Sequence, residues 1–265
     1  MKISIGTMAH AFDLSDEALR FYEKKGLVTP ERNQQNGYRT FSRTDIQRIG
    51  NIKRYQNQGF SLEEISAIYG GIDEASLQAL YQQKIDAARQ AIRHQAHILA
   101  RMQAATRAIA GAPELLYRPR RVRGEAAYVL EYESIEAMWL RLPEDPLLHR
   151  MFTSLPLTCF TTVIQQEGGH VGKGVLAFES DMDILGLDRS AFRRIDAADA
   201  VVCLFRLENG AFDIPNLVDA INRYLVENTL EAAGDLFTWQ LASYVNEAHN
   251  AIHFAWMVAP VRSRA

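Results

Sequence analysis

Ser15-Asp16-Glu17-Ala18-Leu19-Arg20-Phe21-Tyr22-Glu23-Lys24-Lys25-Gly26 is the stretch whose reading decides the N-terminal fold. Ser15 is a helix N-cap, because its hydroxyl can accept from an otherwise orphaned first-turn amide, and Asp16 and Glu17 put negative charge where the helix dipole favours it. Gly26 stops the helix, since glycine enters the left-handed region that closes a helix without a Cβ clash. Upstream, Ser4 caps another short helix that runs to about Phe12, and Asp13-Leu14 turns the chain between them. Two short helices joined by a turn of about three residues are the helix-turn-helix plan.

Downstream, Asn33-Gln34-Gln35-Asn36-Gly37-Tyr38-Arg39-Thr40-Phe41 sets an Asn-Gly turn before an alternating stretch, a hairpin signal that would supply a wing. Ser42 opens a helix through Ile46, Ile49, Ile52 and Tyr55 to the Gly59 stop. Ser61-Leu62-Glu63-Glu64 is a capping box for the next, which ends at Gly70-Gly71. From Asp73 to Ala110 there is no Gly or Pro. Ile85, Ala88, Ile92, Gln95, Leu99, Met102, Thr106 and Ile109 follow one another in alternating steps of three and four, the seam of a coiled coil. Residues 1–71 are therefore expected to form a winged helix-turn-helix domain, and 72–111 an antiparallel coiled-coil dimerisation helix paired with a second subunit. Residues 112–124, with the basic run Tyr117 to Gly124, read as a linker.

Beyond the linker the apolar period becomes two. Tyr128, Leu130 and Tyr132 alternate, as do Phe160, Thr162 and Ile164, then Leu176 and Phe178, Val201, Cys203 and Phe205, and Ile252 to Val258. Two amphipathic helices interrupt the strands, one capped at Ser134 and one with Pro215 in its first turn. The order strand, helix, strand, strand thus occurs twice, which predicts a duplicated module with an antiparallel sheet over 125–262. The expected fold class is multidomain, α and α+β.

Charge is divided along the chain: residues 1–123 hold 19 Lys+Arg against 12 Asp+Glu, and residues 124–265 hold 10 against 20. A basic half suits a polyanion. Cys159 and Cys203 each lie in an apolar run and read as structural thiols of a reducing cytosol. With no membrane-length apolar stretch and no leader-like start, a cytoplasmic protein is expected.

The motifs Leu19-Arg20-Phe21-Tyr22-Glu23-Lys24-Lys25-Gly26-Leu27, Pro30, Arg32, Gly37-Tyr38-Arg39, Phe41, Asp45-Ile46 and Gly59-Phe60-Ser61-Leu62-Glu63-Glu64-Ile65 stand in register over some seventy residues and resemble the MerR family of transcription regulators. The resemblance implies a homodimer on double-stranded promoter DNA, working with RNA polymerase and activating by distorting the promoter. It gives Arg20, Phe21, Tyr22, Tyr38 and Arg39 a DNA-binding role. Ser15, Asp16 and Arg43 join them on chemical grounds, with Lys53 or Arg54 adding a backbone contact. Two positions depart from the family: Asp13 stands where glycine is usual, and Ala18 where threonine is common. Asp tolerates the left-handed conformation, so the turn survives.

No cysteine occurs in residues 72–123, which argues against a soft-metal sensor, and His94 and His97 read as surface histidines rather than ligands. No metal, no cofactor and no enzymatic activity are expected. The duplicated module resembles the GyrI-like effector domain of multidrug-responsive regulators, which implies an aromatic-lined site for a lipophilic, cationic small molecule. Candidate lining residues are Tyr128, Tyr132, Trp139, Phe160, Phe178, Trp239, Gln240, Tyr244, Glu247 and Trp256. The family's acid tends to follow an aromatic in the penultimate strand, where this chain has Trp239-Gln240. Either the acid comes from elsewhere, with Glu247 or Glu179 the nearest candidates, or the ligand is uncharged. A hydrolase fused to a DNA reader, and a module that binds another protein by presenting its acidic face to a basic surface, are the other readings left open.

Overall fold

The computed structural model describes residues 3–34, 36–166, 170–209 and 214–264, and the chain divides into two units, Met1–Ala91 and Ile92–Ala265. Unit 1 holds β1 (Ile3–Ser4), α1 (Ile5–Phe12), α2 (Asp16–Lys24), β2 (Glu31–Arg32), β3 (Arg39–Phe41), α3 (Arg43–Asn57) and α4 (Leu62–Gly71), and α5 (Glu74–Ala110) begins in it. The caps fall where the sequence puts them. Ser4, Ser15, Ser42 and Ser61 each accept a first-turn amide, and Ser42-Asp45 and Ser61-Glu64 are reciprocal capping boxes. Asp13 occupies the left-handed region at φ 50° between α1 and α2. Gly26, at φ 70°, closes α2 while Leu27 N donates to Tyr22 O at 2.9 Å.

The apolar faces of these helices meet in one core of Met8, Leu19, Tyr22, Phe41, Ile49, Ile52, Phe60 and Ile65, all buried. Each such side chain contributes about 1.5–3 kcal/mol on burial. The wing differs from a two-residue Asn-Gly hairpin. Arg32 pairs with Arg39 across a connection of residues 33–38, of which Gln35 lies outside the described residues, and Gly37 N donates to Asn33 O at 2.8 Å. β3 also pairs with β1, so the wing is the far side of a three-stranded sheet ordered β1-β3-β2.

Unit 2 comprises the rest of α5, then α6 (Ala112–Leu115), β4 (Arg120–Arg123), β5 (Ala127–Tyr132), α7 (Ile135–Arg141), α8 (Pro146–Thr153), β6 (Thr158–Ile164), β7 (Val171–Phe178), α9 (Glu179–Leu185), β8 (Arg193–Ile195), β9 (Asp199–Glu208), α10 (Ile214–Glu227), β10 (Leu230–Ala232), β11 (Leu236–Val245) and β12 (Ala251–Ser263). The main sheet runs β4-β9-β12-β11-β6-β7-β5-β8, all antiparallel, with β10 on β12. This order carries the duplication. β5-β7-β6 and β9-β12-β11 are the same three-strand arrangement in mirrored order, joined where β6 pairs β11 through Leu236–Ile164 and Phe237–Val163.

One sheet face packs α7, α8, α9 and α10 through Met138, Leu148, Met182 and Ile221; the other packs the C-terminal part of α5 and α6 through Ala108, Ala112 and Leu115. Residues 112–124 are not a free linker, because β4 is hydrogen-bonded to β9 and Arg121 pairs with Asp199 at 2.5 Å. The basic residues that suggested a linker are edge-strand side chains turned to solvent. Cys159 and Cys203 are both buried free thiols, and burial pushes them up to about 12 and about 11. Among the described residues no helix is long and apolar enough to cross a membrane.

Candidate functional site

On unit 1, the side chains proposed for DNA divide by burial. Arg20, Phe21, Tyr38, Arg43 and Arg54 are exposed, and Tyr38 keeps 70% of its surface open at the wing. Phe21 is 40% exposed, with Lys25 Nζ 5.5 Å from its ring, so an aromatic that could have filled the core faces water instead. Ser15 is exposed and holds the α2 N-terminus, and Asp16 is half-buried beside it.

Tyr22 departs from expectation. It lies about 100° around α2 from Phe21, 3% exposed, and its hydroxyl donates to Gln56 Oε1 at 2.9 Å. Its pKa is raised by burial against the opposing pull of that hydrogen bond. Tyr22 is a core residue that ties α2 to α3. Arg39 is half-buried and pairs through Nε with Glu23 at 2.6 Å, so the wing strand is fixed to α2 by charge. Lys53 donates to Asp13 O at 3.4 Å, bracing the turn between α1 and α2, while the Arg54 guanidinium lies 5.6 Å from the Tyr55 ring.

Residues 3–70 match the profile described as MerR HTH family regulatory protein. This segment is a MerR-family helix-turn-helix domain. The chain is 36% identical over 83 residues to the mercuric resistance operon regulatory protein of Bacillus cereus, which covers 31% of this chain and 63% of that protein. It is 39% identical over 62 residues to the HTH-type transcriptional regulator CueR of Escherichia coli O6:H1, covering 23% and 46%. The chain therefore spans less than two thirds of the length of these relatives. A solved structure, the EcmrR-DNA complex in EcmrR-RPo, aligns over 98% of this chain and 100% of that chain at 14% identity with a TM-score of 0.37.

On unit 2, a groove of about 430 Å³ opens on the sheet face that packs α7 to α10, where the two halves join. Trp139, Phe160 and Phe205 supply aromatic wall, and Thr162, Lys173, Gln240 and His253 supply polar groups. Lys173 Nζ donates to Thr162 Oγ1 at 2.9 Å, Thr162 N donates to Thr238 Oγ1 at 2.8 Å, and Gln240 Nε2 lies 3.4 Å from His253 Nδ1. Burial lowers the Lys173 pKa. Phe152 meets Trp139 at a tilt and Phe160 edge to face, each with centroids 5.2 Å apart, and stiffens that wall.

Of the ten expected ligand residues, Trp139, Phe160 and Gln240 line this groove. Phe178, Trp239 and Trp256 point to the opposite face, as the period of two requires of a residue next to Gln240 or Ala255. There Arg101 lies 4.6 Å from the Phe178 ring and 5.2 Å from Trp239, and Arg120 lies 5.2 Å from Trp256. Tyr128 and Tyr132 pack under α7 to α9, their hydroxyls 3.4 Å from Glu179 and Asp145. Tyr244 and Glu247 are exposed at the β11–β12 turn. Neither Glu247 nor Glu179 lines the groove, so no acid takes the place of Gln240 there among the described residues.

His97 is also corrected. It has a carboxylate partner, Asp181, brought from far along the chain, with Nδ1 3.0 Å from Oδ1, and Arg101 binds the other oxygen. Among the described residues no cluster of three or more His, Cys, Asp or Glu groups could hold a metal ion.

Proposed function

We propose that the protein is a ligand-responsive transcription regulator that binds duplex promoter DNA as a homodimer. The observation that carries this reading is the match of residues 3–70 to the MerR-type domain, whose α2 and wing leave Arg20, Phe21 and Tyr38 open. A recognition helix enters the major groove with its polar side chains toward base edges, while wing and helix-end cations neutralise phosphate. Ser15, Asp16 and Arg20 are the base-facing candidates; Phe21, Tyr38, Arg43 and Arg54 are the backbone candidates. Tyr22, Arg39 and Lys53 act by holding those elements in place.

Dimerisation is supported by α5. Ile85, Ile92, Leu99, Met102 and Ile109 are each at least 42% exposed along one stripe, whereas Ala108 on another face is buried against the sheet. A row of large apolar side chains at heptad spacing is stabilised by the same row on a second chain. The groove between the sheet halves is the proposed effector site, lipophilic by virtue of its aromatic wall. Distorting promoter DNA costs on the order of 1–6 kcal/mol, and an effector must favour the distorting state by a comparable amount. RNA polymerase would read that distortion, as the family resemblance implies.

Gel retardation of the protein's own promoter fragment across a salt series tests the reading. Affinity should fall steeply with salt, and Arg20→Ala should weaken the specific site more than random DNA. Equal loss on both would deny Arg20 a base-reading role, and no preference for any duplex would overturn the function.

A further inference from the structure

We infer that unit 2 holds a second ligand site, on the sheet face away from the groove, and that it takes an aromatic carboxylate. A cavity of about 490 Å³ lies there between the C-terminal part of α5 and β4, within the range of roughly 300–1,000 Å³ common to small-molecule sites. All its lining residues belong to unit 2, and none is shared with the groove, so the inference does not depend on the effector-site reading. The sequence makes the room. Ala104 and Ala108 bring only methyl groups to this side of α5, and the indoles of Trp239 and Trp256 form aromatic wall. Trp256 is buried, and Trp239 is half-buried and held edge to face by Phe178 at 5.0 Å.

Charge sets the ligand class. The charged side chains lining this cavity, among the described residues, are Arg107 on α5 and Arg120 on β4. Neither guanidinium forms an ion pair or a hydrogen bond among the described residues. Their neighbours differ. The alternation of β4 turns Arg120 and Val122 to the cavity and sends Arg121 the other way, where Asp199 neutralises it. Arg101, further back on α5, is held by Asp181 and by Glu125 at 3.8 Å. Residues 124–265 carry 20 acids against 10 bases, yet none of the described acids pairs with Arg107 or Arg120. Arg120 lies 5.2 Å from the Trp256 ring, which attracts its charge but supplies no oxygen to its forked N–H groups. A flat ring bearing a carboxylate meets both demands, the ring against the indoles and the two oxygens on a guanidinium fork. A cation would be repelled by two like charges, and an uncharged aromatic would leave the forks to water.

Tryptophan fluorescence reads this cavity selectively. Of the chain's three tryptophans, Trp239 and Trp256 line it and Trp139 lines the groove. Full-length Trp139→Phe protein is titrated with 4-iodobenzoate and with uncharged 4-iodobenzyl alcohol, whose iodine quenches an indole only at near contact. The carboxylate should quench saturably and bind about tenfold more tightly than the alcohol, the worth of one charge-assisted hydrogen bond. Arg107→Met combined with Arg120→Met should remove that preference. Equal affinity for the two probes would overturn the proposal, as would a preference that survives the methionine pair, or quenching that fails to saturate once Trp139 is replaced. Both arginines are exposed, so the methionine pair should fold; if it does not, the ratio of the two probes on Trp139→Phe protein decides the matter alone.

Discussion

His97 Nδ1 on α5 lies 3.0 Å from Oδ1 of Asp181, a carboxylate with no exposed surface at the start of α9. One turn further along α5, Arg101 binds Oδ2 of the same group and lays its guanidinium against Phe178 and Trp239. Two residues four apart share a helix face, so a single buried acid at the start of α9 holds one stripe of the C-terminal part of α5 within unit 2. Asp181→Asn keeps the shape but removes the charge, leaving a largely buried guanidinium with the more distant Glu125, at 3.8 Å, as its remaining carboxylate partner. The expected cost is about 3 kcal/mol, the usual result of breaking one side of a buried pair. Urea unfolding of the full chain measures it, and an unshifted midpoint would show the clamp to be energetically idle.

Much of unit 1 was legible because its signals are local. Ser15, Gly26, Ser42 and Ser61 each act within four residues of themselves, and a cap reads the same in a sequence as in a structure. What escaped was the direction of a side chain on a short amphipathic helix: Phe21 and Tyr22 are neighbours, equally large, and which one turns inward follows from where α3 packs, with Ile49 and Ile52 beside Tyr22 in the core and Gln56 accepting from its hydroxyl. In unit 2 the duplication was readable from periodicity, but the site was not. The groove exists because β6 meets β11, a pairing that joins residues more than seventy positions apart, and the His97–Asp181 contact spans 84. One signal was available and unused: Lys173 interrupts the inward phase of an otherwise apolar strand.

Phe21→Ala and Tyr22→Phe should behave oppositely. Phe21 is exposed, so its loss should leave the melting temperature nearly unchanged and reduce promoter affinity about tenfold, as removal of an interfacial aromatic does. Tyr22→Phe removes the hydroxyl that donates to Gln56 and should cost about 1 kcal/mol of stability with little effect on DNA. Thermal melts and gel retardation on the same two variants check this; loss of DNA affinity in the stably folded Tyr22→Phe protein would return that hydroxyl to the DNA-binding set.

The exposed stripe of α5 gives a third contrast. Leu99 and Met102 are 54% and 60% exposed, so Leu99→Glu with Met102→Glu should leave each chain folded while placing like charges across the proposed coiled coil. Sedimentation velocity at micromolar concentration should show a dimer for the parent and a monomer for the double variant. Ala108→Glu, at a position 3% exposed against the sheet, should instead destabilise unit 2 itself. A double variant that remains dimeric would move the subunit contact off this stripe.

Asp45 makes the stability of unit 1 depend on acid. Its burial by itself would raise the pKa, but the Ser42 hydroxyl and amide, the Thr29 amide at 3.1 Å and the charge of Arg48 together outweigh burial and hold it below the ordinary 3.8. With the folded value depressed relative to the unfolded one, the carboxylate stabilises the fold fully above about pH 4, and this contribution is lost as pH falls through the folded-state pKa. Asp45→Asn should therefore be less stable than the parent near neutrality by about 1 kcal/mol, the usual worth of a helix cap. The two proteins should converge as the parent's carboxylate is protonated. Urea midpoints of both, taken at neutral pH and again at about pH 2, provide the comparison. A gap that stays constant down to the acid end would mean that Asp45 contributes through its shape and hydrogen bonds alone, and that its ionisation does not matter to the capping box.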